Sequence, residues 1–143
     1  MAAGRLKVWD AGASAWTYPG IAPSQVGQLQ VVVSGGGGQI SGGTLLDIGP
    51  MKWGGTWTDW AMEADRTGSI QFDIWKAVFP TVPTNANSIT ASAPPKMTNA
   101  LTAASSSLTG WTTTFAAGDR LRLHIDSASK VRQVTLTVNY VRS

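Results

Sequence analysis

One histidine, eight carboxylates and seven tryptophans are the side chains of this 143-residue chain that could do chemistry, and no cysteine accompanies them. A thiol nucleophile, a disulfide framework and a Cys-ligated zinc are therefore excluded. His124 would need a nucleophile and an orienting acid to act as a base. The sequence has no G-x-S-x-G elbow to present a serine to it. In the run RLRLHI at 120–125 it falls outward beside Arg120 and Arg122. This reads as a surface histidine, and one histidine is too few for a zinc or iron site. The carboxylates are Asp10, Asp47, Asp59, Glu63, Asp65, Asp73, Asp119 and Asp126. A glycosidase needs two of them facing each other across a cleft. Asp59, Glu63 and Asp73 are the nearest to such a set, on strands expected to pair, but nothing marks them as a couple. No D-x-[DN]-x-[DN]-G calcium loop occurs. The run Gly35-Gly36-Gly37-Gly38 is followed by Gln39-Ile40-Ser41, without the lysine and helix of a phosphate loop, and reads as a flexible hairpin loop. These residues point to no enzyme, no metal and no cofactor.

The tryptophans are Trp9, Trp16, Trp53, Trp57, Trp60, Trp75 and Trp111. Their flat faces suit core packing, subunit contacts or stacking on sugar rings. Trp60 and Trp111 are expected in the core. Trp53, Trp57 and Trp75 are the candidates for an interface or a glycan platform, since Trp75 falls on the strand face opposite Phe72 and Ile74. Arg120, Arg122 and Arg132, with His124 and Lys130, form a basic face. It lacks the aromatic interleaving of an RNA-binding sheet, so a solvated face or a salt-linked contact with an acidic partner is expected, and no nucleic acid.

The elements that must position these side chains are strands. Val134, Leu136, Val138 and Tyr140 alternate with Thr135, Thr137, Asn139 and Val141, a half-buried pattern. Leu121, Leu123 and Ile125 do the same, as do Ile70, Phe72 and Ile74 in 69–76. Further strands are expected over 28–33, 44–48, 56–63, 87–91 and 111–115. Thr67-Gly68 reads as a hairpin loop between 56–63 and 69–76, and Ala117-Gly118-Asp119 as one between 111–115 and 120–125. Asp126-Ser127-Ala128-Ser129 leads into the last strand. Pro80, Pro83, Pro94 and Pro95 exclude a helix or central strand from 79–98. Residues 96–107 are the one place for a short helix. The expected fold is all-β, an antiparallel β-sandwich of jelly-roll type with an N-terminal extended arm.

The length suits one domain with a sizeable core. Charged residues make up 13%, about half the usual share, and the net charge is +3 with dispersed basic residues. No stretch is apolar enough to span a membrane as a helix, and MAAGRLKVWD lacks the apolar core of a signal peptide. Residues 1–25 read as a docking arm and linker: RLKVW and AWTY flank DAGAS as a small hairpin, too short to have its own core. Leu6, Val8, Trp9 and Trp16 are the residues expected to dock on a partner. Residues 26–143 form the sandwich domain.

The segments SIQFDIWK (69–76), SITAS (88–92) and LTGWTTTFAAGDRLRLHIDSASKVRQVTLTV (108–138) resemble a β-sandwich domain of virion structural proteins of tailed bacteriophages, found in head decoration proteins and at the C-terminal end of tail fibres. Residues 1–18 are similar to short N-terminal stretches of the same proteins. The resemblance implies a non-enzymatic, oligomeric component of the virion. From it and the arm, the leading expectation is a head decoration (cement) protein, a trimer bound to capsid protein. The alternatives are a tail-fibre or tail-tip protein that binds host glycan and a carbohydrate-binding module. No membrane partner is expected.

Overall fold

The computed structural model describes the backbone of two short strands, Val8–Asp10 (β1) and Ala15–Thr17 (β2), and residues 25–143 in full. The docking residues Leu6, Val8, Trp9 and Trp16 lie outside the residues whose side chains are described. β1 and β2 pair antiparallel, with Trp9 opposite Trp16. The body is one seven-stranded antiparallel sheet built from Val26–Ser34 (β3), Leu45–Ile48 (β4), Gly55–Val78 (β5), Lys96–Ser105 (β6), Thr114–Phe115 (β7), Asp119–Ser129 (β8) and Gln133–Arg142 (β9). A 3-10 turn covers Asn85–Asn87.

The organising element is β5, which is 24 residues long. Its first half pairs with β9, from Gly55 opposite Arg142 to Ala64 opposite Val134. Its second half pairs with β8, from Ser69 opposite Ser129 to Val78 opposite Asp119. β8 and β9 therefore follow one another along the same edge of β5, with residues 130–132 at the bend. β3 and β4 repeat this one place further out, β3 on β9 and β4 on β8. β6 runs along the opposite edge of β5, with register shifts between Glu63 and Ile70. The sheet is thus folded across its strands into two halves, β3-β9-β5 and β4-β8-β5, that share β5 and enclose one core.

That core follows from the alternation. Trp60, Met62, Val134, Leu136, Val138 and Val33 come from the first half, and Ile70, Phe72, Ile74, Leu121, Leu123 and Ile125 from the second, in a single cluster. Burying side chains of this size at roughly 1.5–3 kcal/mol each is what holds the two halves together. Trp60 and Trp111 are in this core, as expected.

Several connections differ from the sequence expectation. Thr67-Gly68 is no hairpin, because 56–63 and 69–76 are parts of one strand with different partners. Gly68 is buried at the bend, where a Cβ would come within 2.5 Å of the Ser129 carbonyl oxygen and 2.7 Å of Val131 Cγ1. The glycine there serves close approach rather than a turn. Asp59, Glu63 and Asp73 consequently lie along one strand, not on paired neighbours. The segment 111–115 contributes only β7, which pairs with β5 and not with β8. The glycine run connects β3 to β4 around the bend rather than closing a hairpin, since β3 and β4 have different partners. Residues 96–105 form β6 and not a helix, because the free edge of β5 offers them a ladder. The candidate strand 87–91 is reduced to a bridge between Ser88 and Trp75 beside the 3-10 turn.

Candidate functional site

The chemistry-bearing side chains gather on the outer face of the second half, where β5, β8 and β4 lie side by side. Alternation along β5 turns Gln71, Asp73 and Trp75 away from the core, and along β8 it does the same for Arg122 and His124. The segment 88–90 lies along the edge of β5 that β8 leaves free, held by the Ile89 N–H bond to the Ile74 carbonyl at 2.8 Å and the bridge between Ser88 and Trp75. Beside it Asp73 is 9% exposed and Trp75 8%.

Asp73 accepts three hydrogen bonds: from Trp75 Nε1 at 2.8 Å, Ser88 Oγ at 2.5 Å and Thr90 Oγ1 at 2.6 Å. A buried carboxylate needs such donors, and the two from Ser88 and Thr90 bind the 88–90 segment to the edge of β5. The Trp75 ring stacks on His124 with centroids 4.9 Å apart. His124 Nδ1 lies 2.7 Å from Asp126 Oδ1, and Gln71 donates to Asp126 Oδ2 at 2.8 Å. Ser88 donates to Asp73, not to the histidine, so the cluster contains no paired nucleophile and base. Asp59 and Glu63, four residues apart on one strand, are separated by on the order of 13 Å, wider than the roughly 5–10 Å of a glycosidase pair. Asp59 accepts from Asn139 Nδ2 at 3.0 Å and from Thr58 Oγ1 at 2.7 Å. Among the described residues, no three His, Asp or Glu side chains gather to hold a metal ion.

Part of the basic face is paired within the chain. Arg122 holds Asp47 through two bonds, Nε to Oδ1 at 2.7 Å and Nη2 to Oδ2 at 3.0 Å. Arg120 Nη2 approaches the same carboxylate at 3.8 Å. The Arg122 hydrogen bonds hold the Asp47 carboxyl below its ordinary range, and Asp47 in return raises Arg122. Arg132 does not join this face. It lies at the bend after β8, exposed, with its backbone N–H donated to Asp65 Oδ1 at 2.9 Å. Asp65 also accepts from the Gln133 N–H at 3.0 Å, and these two bonds, Arg132 first, draw its carboxyl down to about 2.

The expected tryptophan platform is not assembled. Trp57 is 3% exposed and packs between Phe115 and Tyr140. Trp75 is 8% exposed, with its ring stacked on His124 and its N–H donated to Asp73. Only Trp53 remains partly open, and its indole N–H donates to the Tyr140 hydroxyl at 3.2 Å while the Arg142 guanidinium sits 4.6 Å from its ring centroid. The cause is the bulge between Trp57 and Asp59, which shifts the alternation and turns Trp57 and Trp60 both inward. The Asp73 cluster was not anticipated. An aspartate in an outward strand position was its only signal, since nothing local links it to Ser88 and Thr90.

The fold and this site define an antiparallel, all-β module of sandwich type whose polar groups bond one another. No protein-family model and no curated protein matches the chain. Among solved structures, it is similar over 92% of its length to 96% of a chain of the cyanophage Pam1 capsid asymmetric unit, at 15% identity and TM-score 0.39. It is similar over 99% of its length to a chain of the nora virus structure, of which it spans 60%, at 13% identity and TM-score 0.38. A chain of the Bacillus endospore appendages that form disulfide-linked pili matches over 83% of this chain at 12% identity and TM-score 0.29.

Proposed function

We propose that the chain is a non-enzymatic bacteriophage virion structural protein, and specifically a head decoration protein held on the capsid exterior by residues 1–25. The observation that carries this is the separateness of β1 and β2, which form a two-stranded sheet of their own and, among the described residues, pair with no strand of the body. An isolated two-stranded hairpin is marginal in water. A hairpin with tryptophans at its central pair gains most by lying on another protein's surface. The resemblance of residues 69–138 to phage virion domains supports the same reading, and the saturated bonding of Asp73 supports a structural rather than catalytic use of the polar face. On a shell, many weak contacts of this kind add through multivalency.

Co-sedimentation with emptied, tail-free phage heads tests the proposal. Saturable binding on the order of hundreds of copies per head, lost on deletion of residues 1–20 while the body stays folded, is the expected result. No binding to heads, or unchanged occupancy of the deletion variant, overturns it. A second reading, a tail-fibre or tail-tip protein binding host glycan, rests on the part-exposed Trp53. A glycan array with no hits and unchanged host adsorption of Trp53→Ala would remove it.

A further inference from the structure

A sheet edge presents unpaired N–H and C=O groups, and proteins blunt such edges with short strands, charges, prolines and bulges. Three of the edge segments here carry these devices. β4 has four residues and holds the Asp47 carboxylate clamped by Arg122. β6 has register shifts against β5, Lys96 at its start and Asn99 at a φ of 44°. β7 is two residues long. β3 is different. It has nine residues, VGQLQVVVS, with no charge and no proline, and its register against β9 runs unbroken from Val26 to Ser34. Among the described strands it pairs with β9 alone.

We infer that β3 is the strand-addition edge of this molecule and that its occupant is β3 of a second copy, paired antiparallel about a two-fold axis through Gln30. The strand is its own complement. Gln30 is its midpoint, so full overlap sets Gln30 against Gln30, Gln28 against Val32 and Leu29 against Val31 of the second copy. Leu29 and Val31 are half-buried at the margin of the core, and an added strand would cover them. Val26 and Val32, each 55% exposed, flank the amides on the outer face. With no charged side chain along the strand, self-pairing meets no like-charge repulsion, and nothing there selects an acidic or basic partner. A two-fold contact takes the place of the trimer expected from the resemblance, and it does not depend on head binding.

The pairing of two nine-residue strands is smaller than a standard interface, so dissociation constants on the order of micromolar are expected. Light scattering on the full-length chain from about 5 to 200 µM should show the mass rising from 15.0 kDa towards twice that value. Alternate β3 amides should gain protection from hydrogen exchange over the same range. Gln30→Lys places two ammonium groups opposite each other at the axis and should weaken the dimer at least tenfold. The double variant Gln28→Glu with Val32→Lys sets Glu against Lys twice in this register and should dimerise at least as well as the natural chain. Both variants change exposed outer-face side chains, and circular dichroism confirms that each is folded. A 15.0 kDa species at every concentration overturns the inference, as does an oligomer indifferent to Gln30→Lys. Dissociation by both variants overturns the Gln30 register.

Discussion

Asp73 and Asp65 show two ways in which one carboxylate ties distant segments together. Asp73 collects donors from Trp75, Ser88 and Thr90 and so fastens the 88–90 segment to the edge of β5. Asp73→Asn keeps the shape but removes the charge and sets an amide N–H₂ against hydrogen-bond donors. A loss of about 2–3 kcal/mol is expected, read as a lower urea midpoint with unchanged slope. Asp65 works at the surface, accepting the Arg132 and Gln133 N–H groups at the bend between β8 and β9. Its carboxyl is held at about 2, below the ordinary 3.8. A depressed carboxyl contributes stability that is full above the unfolded value and is lost as pH falls through the folded one. The Asp65 contribution is therefore present above about pH 4 and disappears towards pH 2. Urea midpoints measured across that window should fall less steeply in Asp65→Asn than in the natural chain. Alternation told that Arg120, Arg122 and His124 share a face. It could not tell that Asp47, 75 residues from Arg122 in sequence, would pair with Arg122 and lie within reach of Arg120.

The long strand β5 sets the architecture at the scale of elements, and its bend depends on Gly68. With Ser129 and Val131 against the position of a Cβ, Gly68→Ala must push the β8–β9 connection away from the bend. A cost of about 1–3 kcal/mol is expected. Gly118→Ala, at a φ of 90° but with open space around it, acts through backbone strain alone and should cost about 1–2 kcal/mol. Thermal unfolding of both variants separates the two causes, because only Gly68→Ala should alter the near-ultraviolet signal of the core aromatics. The period-2 pattern located the long core strands, missed β6 and overextended 87–91 and 111–115, and it failed at the connections. Thr-Gly, Ala-Gly-Asp and the glycine run all read as hairpins because turn residues report where a chain changes direction. They do not report whether the flanking strands then pair with each other.

Both halves of the folded sheet contribute to one core through the shared β5, so at the scale of the molecule they should melt as a unit. Tryptophan fluorescence, to which the buried Trp57, Trp60, Trp75 and Trp111 contribute, and far-ultraviolet circular dichroism should give coincident urea transitions for the full chain. Two separated transitions would mean that the halves are independent. Since β1 and β2 pair with no strand of the body, removal of residues 1–20 should move the midpoint by less than about 2 °C. The proposed head binding and the β3 contact call on different parts of this molecule, the hairpin and the free edge, so either can fail in experiment without the other.

What the sequence determined by itself is local: strand positions, inner and outer faces, an all-β class, and the absence of the cysteine and histidine sets that metal or thiol chemistry requires. A period of two residues is written in β3, β8 and β9, and burial reads it directly. What only the tertiary structure decided is partnership. That 56–63 and 69–76 are one strand, that 96–105 is a strand rather than a helix, that Trp57 and Trp75 are covered, and that Asp73 meets Ser88 and Thr90 all depend on contacts between segments far apart in the chain. Such contacts are selected by the packing of the whole core, because a single strand's pattern is satisfied equally well by many neighbours.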